Sequence, residues 1–302
     1  MPVQMLIPPQ PKDLGGGLRV RRLLPAVQRQ AVGPFVFFDH FGPVQVAPGS
    51  QHDVRPHPHI GLATISYLFD GAMMHRDSLG LTQRIAPGAV NWMTAGKGIV
   101  HSERQPEDLR GQSYALHGMQ LWLALPRAHE DTEPAFSHTP AERIPGVQLP
   151  GARVRVLVGE AFSVSSPVAT FSPTLYLDVQ LDAGAELRLP DLAEELALYP
   201  VDAPLEVDGQ ALPAHQMAVL TPGEARIRAR QATRLMVVGG TALDGPRWLW
   251  WNFVSSRRER MAQAAQDWRD GRYPGVPGET EFIPLPERMP WPDADWAPRT
   301  GS

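Results

Sequence analysis

At 302 residues, with 43% hydrophobic and 20% charged side chains, the chain is long enough for two ordinary domains with substantial cores. A net charge of −4 offers no electrostatic footprint for nucleic acid or an anionic membrane. The absence of cysteine excludes disulfides, thiolate metal sites and cysteine nucleophiles, so metal chemistry must rest on histidine and carboxylate.

The chain holds 32 prolines and 27 glycines with no repeat period, which favours short strands joined by turns. Residues 1–12 lack a signal-peptide pattern, and no stretch approaches the ~20 apolar residues of a membrane span, so a soluble, cytoplasmic protein is expected. Gly15-Gly16-Gly17 precede a predicted strand rather than a helix, against a phosphate cradle. Residues 18–24 read as an edge strand with arginines toward solvent, and Phe35-Val36-Phe37-Phe38 as a buried strand. Strands at 63–68, 83–85, 89–93 and 118–125 follow, separated by turn residues such as Asp70-Gly71 and Pro87-Gly88, and suggest a sandwich or barrel.

Residues 127–150 are polar and proline-bearing and read as a linker. A second strand series covers 154–158, 175–181, 196–199, 217–220, 225–229 and 234–238. Laying 87–100 over 213–227 puts His101 and Glu103 opposite Arg228 and Arg230 and, given a longer intervening loop in the second copy, His57 and His59 near Thr170 and Ser172. The second copy is thus expected to keep the scaffold and lose the ligands. Ser256 with Glu259 forms a capping-box pattern for a helix carrying Met261, Ala264, Ala265 and Trp268 and stopping at Gly271. Trp248, Trp250, Trp251 and Phe253 are expected to cover apolar surface between the halves, and the proline-rich segment from residue 274 to be extended. The predicted divisions are 1–134, 151–246 and 247–302.

Two histidine-bearing doublets stand out, His57-Pro58-His59 and His101-Ser102-Glu103. Residues i and i+2 of a strand share a face about 6.6 Å apart, so two such doublets on facing strands can converge on one ion. Three imidazoles and one carboxylate suit Fe(II), Mn, Ni, Co, Cu or Zn, with iron first on availability in the cytoplasm, and an octahedral ion keeps two positions open. His40, His129, His138 and His215 lie in turns or polar segments without a paired ligand and read as structural. His52, His75 and His117 lie in or beside predicted strands and could brace the second ring nitrogen of a ligand.

With these residues in view, the sequence resembles the pirin family of the cupin superfamily. The resemblance is carried by His57-Pro58-His59 with Gly61, by His75 with Asp77-Ser78-Leu79-Gly80, by the run from Trp92 to Glu103, and by His117-Gly118-Met119-Gln120-Leu121-Trp122. Ile60 stands where many members carry a basic residue, and Asn91 where glutamine is usual. The resemblance implies an all-β bicupin of two antiparallel β-barrels of the double-stranded β-helix type with a short C-terminal helix. It also implies one metal, in the first barrel only, held by His57, His59, His101 and Glu103. Some members open the flavonol quercetin with dioxygen, while others regulate transcription or metabolic enzymes by binding a protein partner. In the enzyme reading Glu103 accepts the enol proton, and Trp92, Met93, Met119 and Trp122 wall an aromatic pocket. The other two readings are a metal that tunes a partner-docking surface and a closed structural metal.

Overall fold

The computed structural model describes residues 3–13, 19–50 and 52–287; Gly15-Gly16-Gly17 and the end of the proline-rich tail lie outside the described residues. The described chain is built of strands, with Arg258–Arg269 as its one α-helix. It divides into two compact units. The first takes Lys12–Val20, His40–His138 and Asp244–Ser302; the second takes Met1–Pro11, Arg21–Asp39 and Thr139–Leu243.

This division differs from cuts at 134 and 151. The short apolar run Val3–Ile7, bracketed by prolines, pairs antiparallel with Met217–Leu220, so the N-terminal residues join the second unit. The expected linker is itself structured, with strands Ala135–Thr139 and Gly146–Leu149 inside it. Strand Arg19–Leu24 is not an edge, because Gln10–Asp13 flanks it.

In the first unit a four-stranded sheet runs in the order Val54–His59, Ile99–Arg104, Met73–Asp77, Thr82–Ile85. The second unit repeats this order with Glu186–Leu189, Ala225–Ala229, Leu205–Val207, Gln210–Leu212. Two seven-stranded sheets and two short two-stranded ones complete the described fold. One seven-stranded sheet centres on Leu62–Asp70 and Tyr114–Ala124, the other on Glu195–Pro200 and Thr233–Gly240, and their ladders are antiparallel. This is the all-β bicupin architecture.

Register corrects the internal alignment. In the first unit His101 pairs with His57 and Ile99 with His59. In the second, Ile227 pairs with Leu187 and Ala225 with Leu189. The counterparts of His57, His59, His101 and Glu103 are therefore Leu187, Leu189, Ile227 and Ala229, not Thr170, Ser172, Arg228 and Arg230. Sliding a strand by one residue turns its side chains to the other face, and Ala225–Ala229 alternates accordingly: Ile227 is buried, whereas Arg228 is exposed opposite Glu186. Leu187, Leu189 and Ile227 belong to an apolar core that also holds Val207, Leu235 and Val237.

The C-terminal residues pack within the first unit. Strands Trp248–Trp250 and Phe253–Ser255 form a hairpin, and Phe253 clusters with Ile60, Met261, Ala264 and Ala265, flanked by Trp251 and Trp268. Ile60, whose side chain alternates away from His59, is thus an anchor for this hairpin rather than a pocket residue. The helix starts without its predicted cap, because the Ser256 hydroxyl is engaged by the buried Glu130 carboxylate. It stops as expected at Gly271, in left-handed conformation at φ 67°.

Candidate metal centre

His57 and His59 lie on Val54–His59, the edge strand of the four-stranded sheet. Pro56 and Pro58 are tolerated there because an edge strand needs amide donors on one side only, and their fixed φ stiffens the backbone that carries both imidazoles. The chain turns just past the strand at Gly61, where φ is +68° and a Cβ would lie 2.0 Å from the Val254 carbonyl oxygen. The facing strand Ile99–Arg104 supplies His101, paired with His57. Its alternate side chains, Ser102 and Arg104, donate to Glu279 and tie the outer face of the strand to the C-terminal segment.

The three imidazoles converge, with one ligand atom of each within 4.8 Å of the others, and no other such group occurs among the described residues. The Nε2 atoms of His59 and His101 are 3.1 Å apart. Two metal–nitrogen bonds of ~2.1 Å span about 3–3.5 Å, so both nitrogens could bind one ion.

Each imidazole has its other nitrogen occupied. Nδ1 of His57 faces the Arg55 carbonyl at 2.9 Å, and Nδ1 of His59 faces the Asn252 carbonyl at 2.9 Å. Nδ1 of His101 lies 3.4 Å from Nδ1 of His75, whose Nε2 is 3.0 Å from the Asp77 carboxylate. Carbonyls only accept, so His57 and His59 carry their protons on Nδ1 and turn bare Nε2 atoms to one another. Burial lowers His57 to about 4, and it holds His59 and His101 well below the usual histidine range, with the neighbouring imidazoles adding to the effect. Three neutral imidazoles facing one point are the form a divalent cation requires.

Glu103 lies outside this tight triad. Its strand runs on past His101, but the ladder with Val54–His59 shifts register between His101 and Glu103. Its carboxyl is 8% exposed, and burial alone pushes it up to about 7. It borders a cavity of about 40 Å³ shared with His52, Tyr114 and Gln120. That is room for a water molecule or dioxygen beside Glu103; none of the three imidazoles lines it.

Of the four expected pocket residues, register separates two from the others. Met93 and Trp122 both pair with Thr64, on the face that carries Gln120 and Asn91, and the Trp122 ring packs edge-on against His59 at 5.0 Å. Trp92 and Met119 pair with Ile65 and Tyr67 on the opposite face of the same sheet, and Trp92 donates to Thr94 there. His75 sits beside one of the three converging imidazoles, with its Nδ1 3.4 Å from that of His101. His117 instead meets His40, with Nε2 atoms 2.7 Å apart, and His40 is fully buried in strand Phe35–Val46 rather than in a turn. His138 faces the side-chain oxygen of Asn91 at 2.7 Å. The Asn252 carbonyl had no sequence signal, because any residue at a hairpin tip offers a carbonyl.

Comparison with known proteins agrees with this geometry. Residues 17–123 match the pirin family model, and residues 176–274 match that of the pirin C-terminal cupin domain. A pirin-like protein of Caulobacter vibrioides is 46% identical over 91% of this chain and 96% of its own length. A Pseudomonas aeruginosa protein provisionally named a quercetin 2,3-dioxygenase is 37% identical over 86% of this chain and 81% of its own. A crystal structure of quercetin 2,3-dioxygenase from Acinetobacter baumannii superposes with a TM-score of 0.87 at 35% identity, covering 94% of this chain and 96% of that one. The chain belongs to the pirin family.

Proposed function

We propose that the chain is a metal-dependent oxidoreductase of the quercetin 2,3-dioxygenase type, acting in the cytoplasm with His57, His59, His101 and Glu103 as ligands and iron as the ion. The observation that carries this reading is the convergence of three buried imidazoles with a buried carboxylate nearby whose ionisation nothing around it favours. The resemblance to the Acinetobacter baumannii enzyme supports the substrate class, a flavonol or similar enol together with dioxygen. A divalent ion at this point would supply Lewis acidity toward an enol oxygen and an electron route to dioxygen. Glu103 takes the enol proton, its carboxyl balanced near neutral pH by burial. Met93 and Trp122 wall the aromatic ring.

Elemental analysis establishes the ion. Oxygen uptake with loss of flavonol absorbance, run on wild type and Glu103→Gln loaded with the same ion, tests the chemistry. The variant should retain much of the metal while turnover collapses; full activity in the variant defeats the role of Glu103 as base. A second reading is a non-enzymatic regulator whose metal orders a surface for a protein partner. Absence of wild-type turnover with Fe, Mn, Ni, Co and Cu selects it.

A further inference from the structure

His57 and His59 have their tautomers set directly by backbone carbonyls, which can only accept. His101 differs, because its Nδ1 faces another imidazole, and a histidine nitrogen either donates or accepts. What resolves the ambiguity is Asp77. Its Oδ1 accepts the backbone N–H groups of Leu79 at 2.9 Å and Leu81 at 3.2 Å, while its Oδ2 lies 3.0 Å from His75 Nε2. An acceptor-only carboxylate makes Nε2 of a neutral His75 the donor, so in that form His75 Nδ1 accepts from His101 Nδ1–H, and His101 Nε2 is left bare toward His57 and His59. The relay is sealed from water: Asp77 is 0% exposed, His75 3%, and Phe136 stacks on the His75 ring at 4.4 Å. Register holds it in place, with Asp77 paired to His101 and His75 to Glu103.

We propose that His75 and Asp77 are positioning residues which fix the metal-binding tautomer of His101 and thereby set the affinity of the site for its ion. The inference rests on the metal-centre reading above. It makes a sign-specific prediction. In Asp77→Asn the amide oxygen is retained by the two backbone donors, so the amide nitrogen turns to His75 Nε2 and reverses the relay; His75 then donates to His101 Nδ1 and forces its proton onto Nε2, where the ion belongs. In His75→Phe the ring still stacks on Phe136 and His101 merely loses its orienting partner.

The experiment measures Co(II) affinity by chelator competition for wild type, both single variants and the double variant, with thermal unfolding of each metal-free protein as a folding control. His75→Phe should bind ~10-fold more weakly than wild type and Asp77→Asn ~100-fold more weakly. The double variant should bind like His75→Phe, about ten times more tightly than Asp77→Asn alone. A role of Asp77 in merely holding its turn would cost the same affinity in either background, and that result overturns the relay, as does wild-type affinity in His75→Phe. If Asp77→Asn does not fold, imidazole ¹⁵N shifts of the metal-free wild type decide: a proton on His101 Nδ1 supports the relay and one on Nε2 overturns it. Wild type that binds no Co(II), Fe(II) or Ni(II) removes the metal centre itself, an outcome distinct from loss of the relay alone.

Discussion

Replacing Glu103 by Gln is predicted to stabilise the metal-free protein at alkaline pH and to do little at acid pH. Burial raises the folded-state carboxyl from 4.5 to about 7. Above pH 4.5 the unfolded chain releases a proton that the folded chain still holds, so stability contributed by the neutral carboxyl is fully present below 4.5 and is lost as pH rises through 7. The span from 4.5 to about 7, at ~1.4 kcal/mol per pH unit, sets the alkaline penalty at ~3 kcal/mol. Gln keeps the shape and cannot ionise, so the variant escapes that penalty. Urea unfolding of both proteins with chelator present, at pH 4.5 and pH 8.5, reads it directly, and every other titrating group cancels in the comparison. The stability difference should move in favour of the variant by ~3 kcal/mol between the two conditions. A difference that is the same at both pH values would refute the assignment of Glu103 as a carboxyl held neutral by burial.

The remaining predictions concern the ion and the frame around it. Changing His57 and His101 together to Ala should abolish stoichiometric metal in elemental analysis; full retention would place the ion elsewhere. At pH 6 the ion should displace about one proton, from Glu103, because burial keeps the imidazoles neutral, with His57 at about 4. Calorimetry in buffers of different ionisation enthalpy counts it, and release of three protons would contradict the neutral triad. Gly61→Ala should cost more than ~2 kcal/mol in thermal unfolding, because the new Cβ would lie 2.0 Å from the Val254 carbonyl oxygen and a non-glycine residue at φ +68° adds strain. An unchanged melting temperature would show that the hairpin yields easily.

The three histidines were legible in the sequence because the period of a strand is two, and a His-x-His doublet presents both rings to one face wherever the strand pairs. Pairing itself was not legible. Nothing local distinguishes an alignment that sets Arg228 opposite His101 from one that sets Ile227 there, since that choice depends on which carbonyls meet across the ladder. The same blindness assigned Trp92 and Met119 to the pocket: their aromatic and thioether chemistry suits a ligand wall, but each pairs on the far face of its sheet. The N-terminal strand Val3–Ile7 was hidden by its flanking prolines, and its partner Met217–Leu220 lies far along the chain.

The two units answer one structural question in two ways. At the position where two paired strands bring three side chains together, the second unit places Leu187, Leu189 and Ile227, at 4%, 0% and 0% exposure, and gains ~1.5–3 kcal/mol for each burial. The first unit places three imidazoles at 6%, 1% and 1% exposure, and burial there works against their protonated forms. A core of imidazoles is a poorer core than one of leucines in the absence of a cation, and the first unit compensates with surrounding structure. The Asn252 carbonyl, the His75 and Asp77 side chains and the proline-stiffened edge strand are all spent on holding ring nitrogens in one orientation. In the second unit Leu205 and Val207 occupy the register positions of His75 and Asp77, so that pair has no polar counterpart there. Polar groups that apolar residues could replace on the same backbone, and that are nonetheless oriented toward one point, fit the cation site proposed above and add nothing to the stability of the fold.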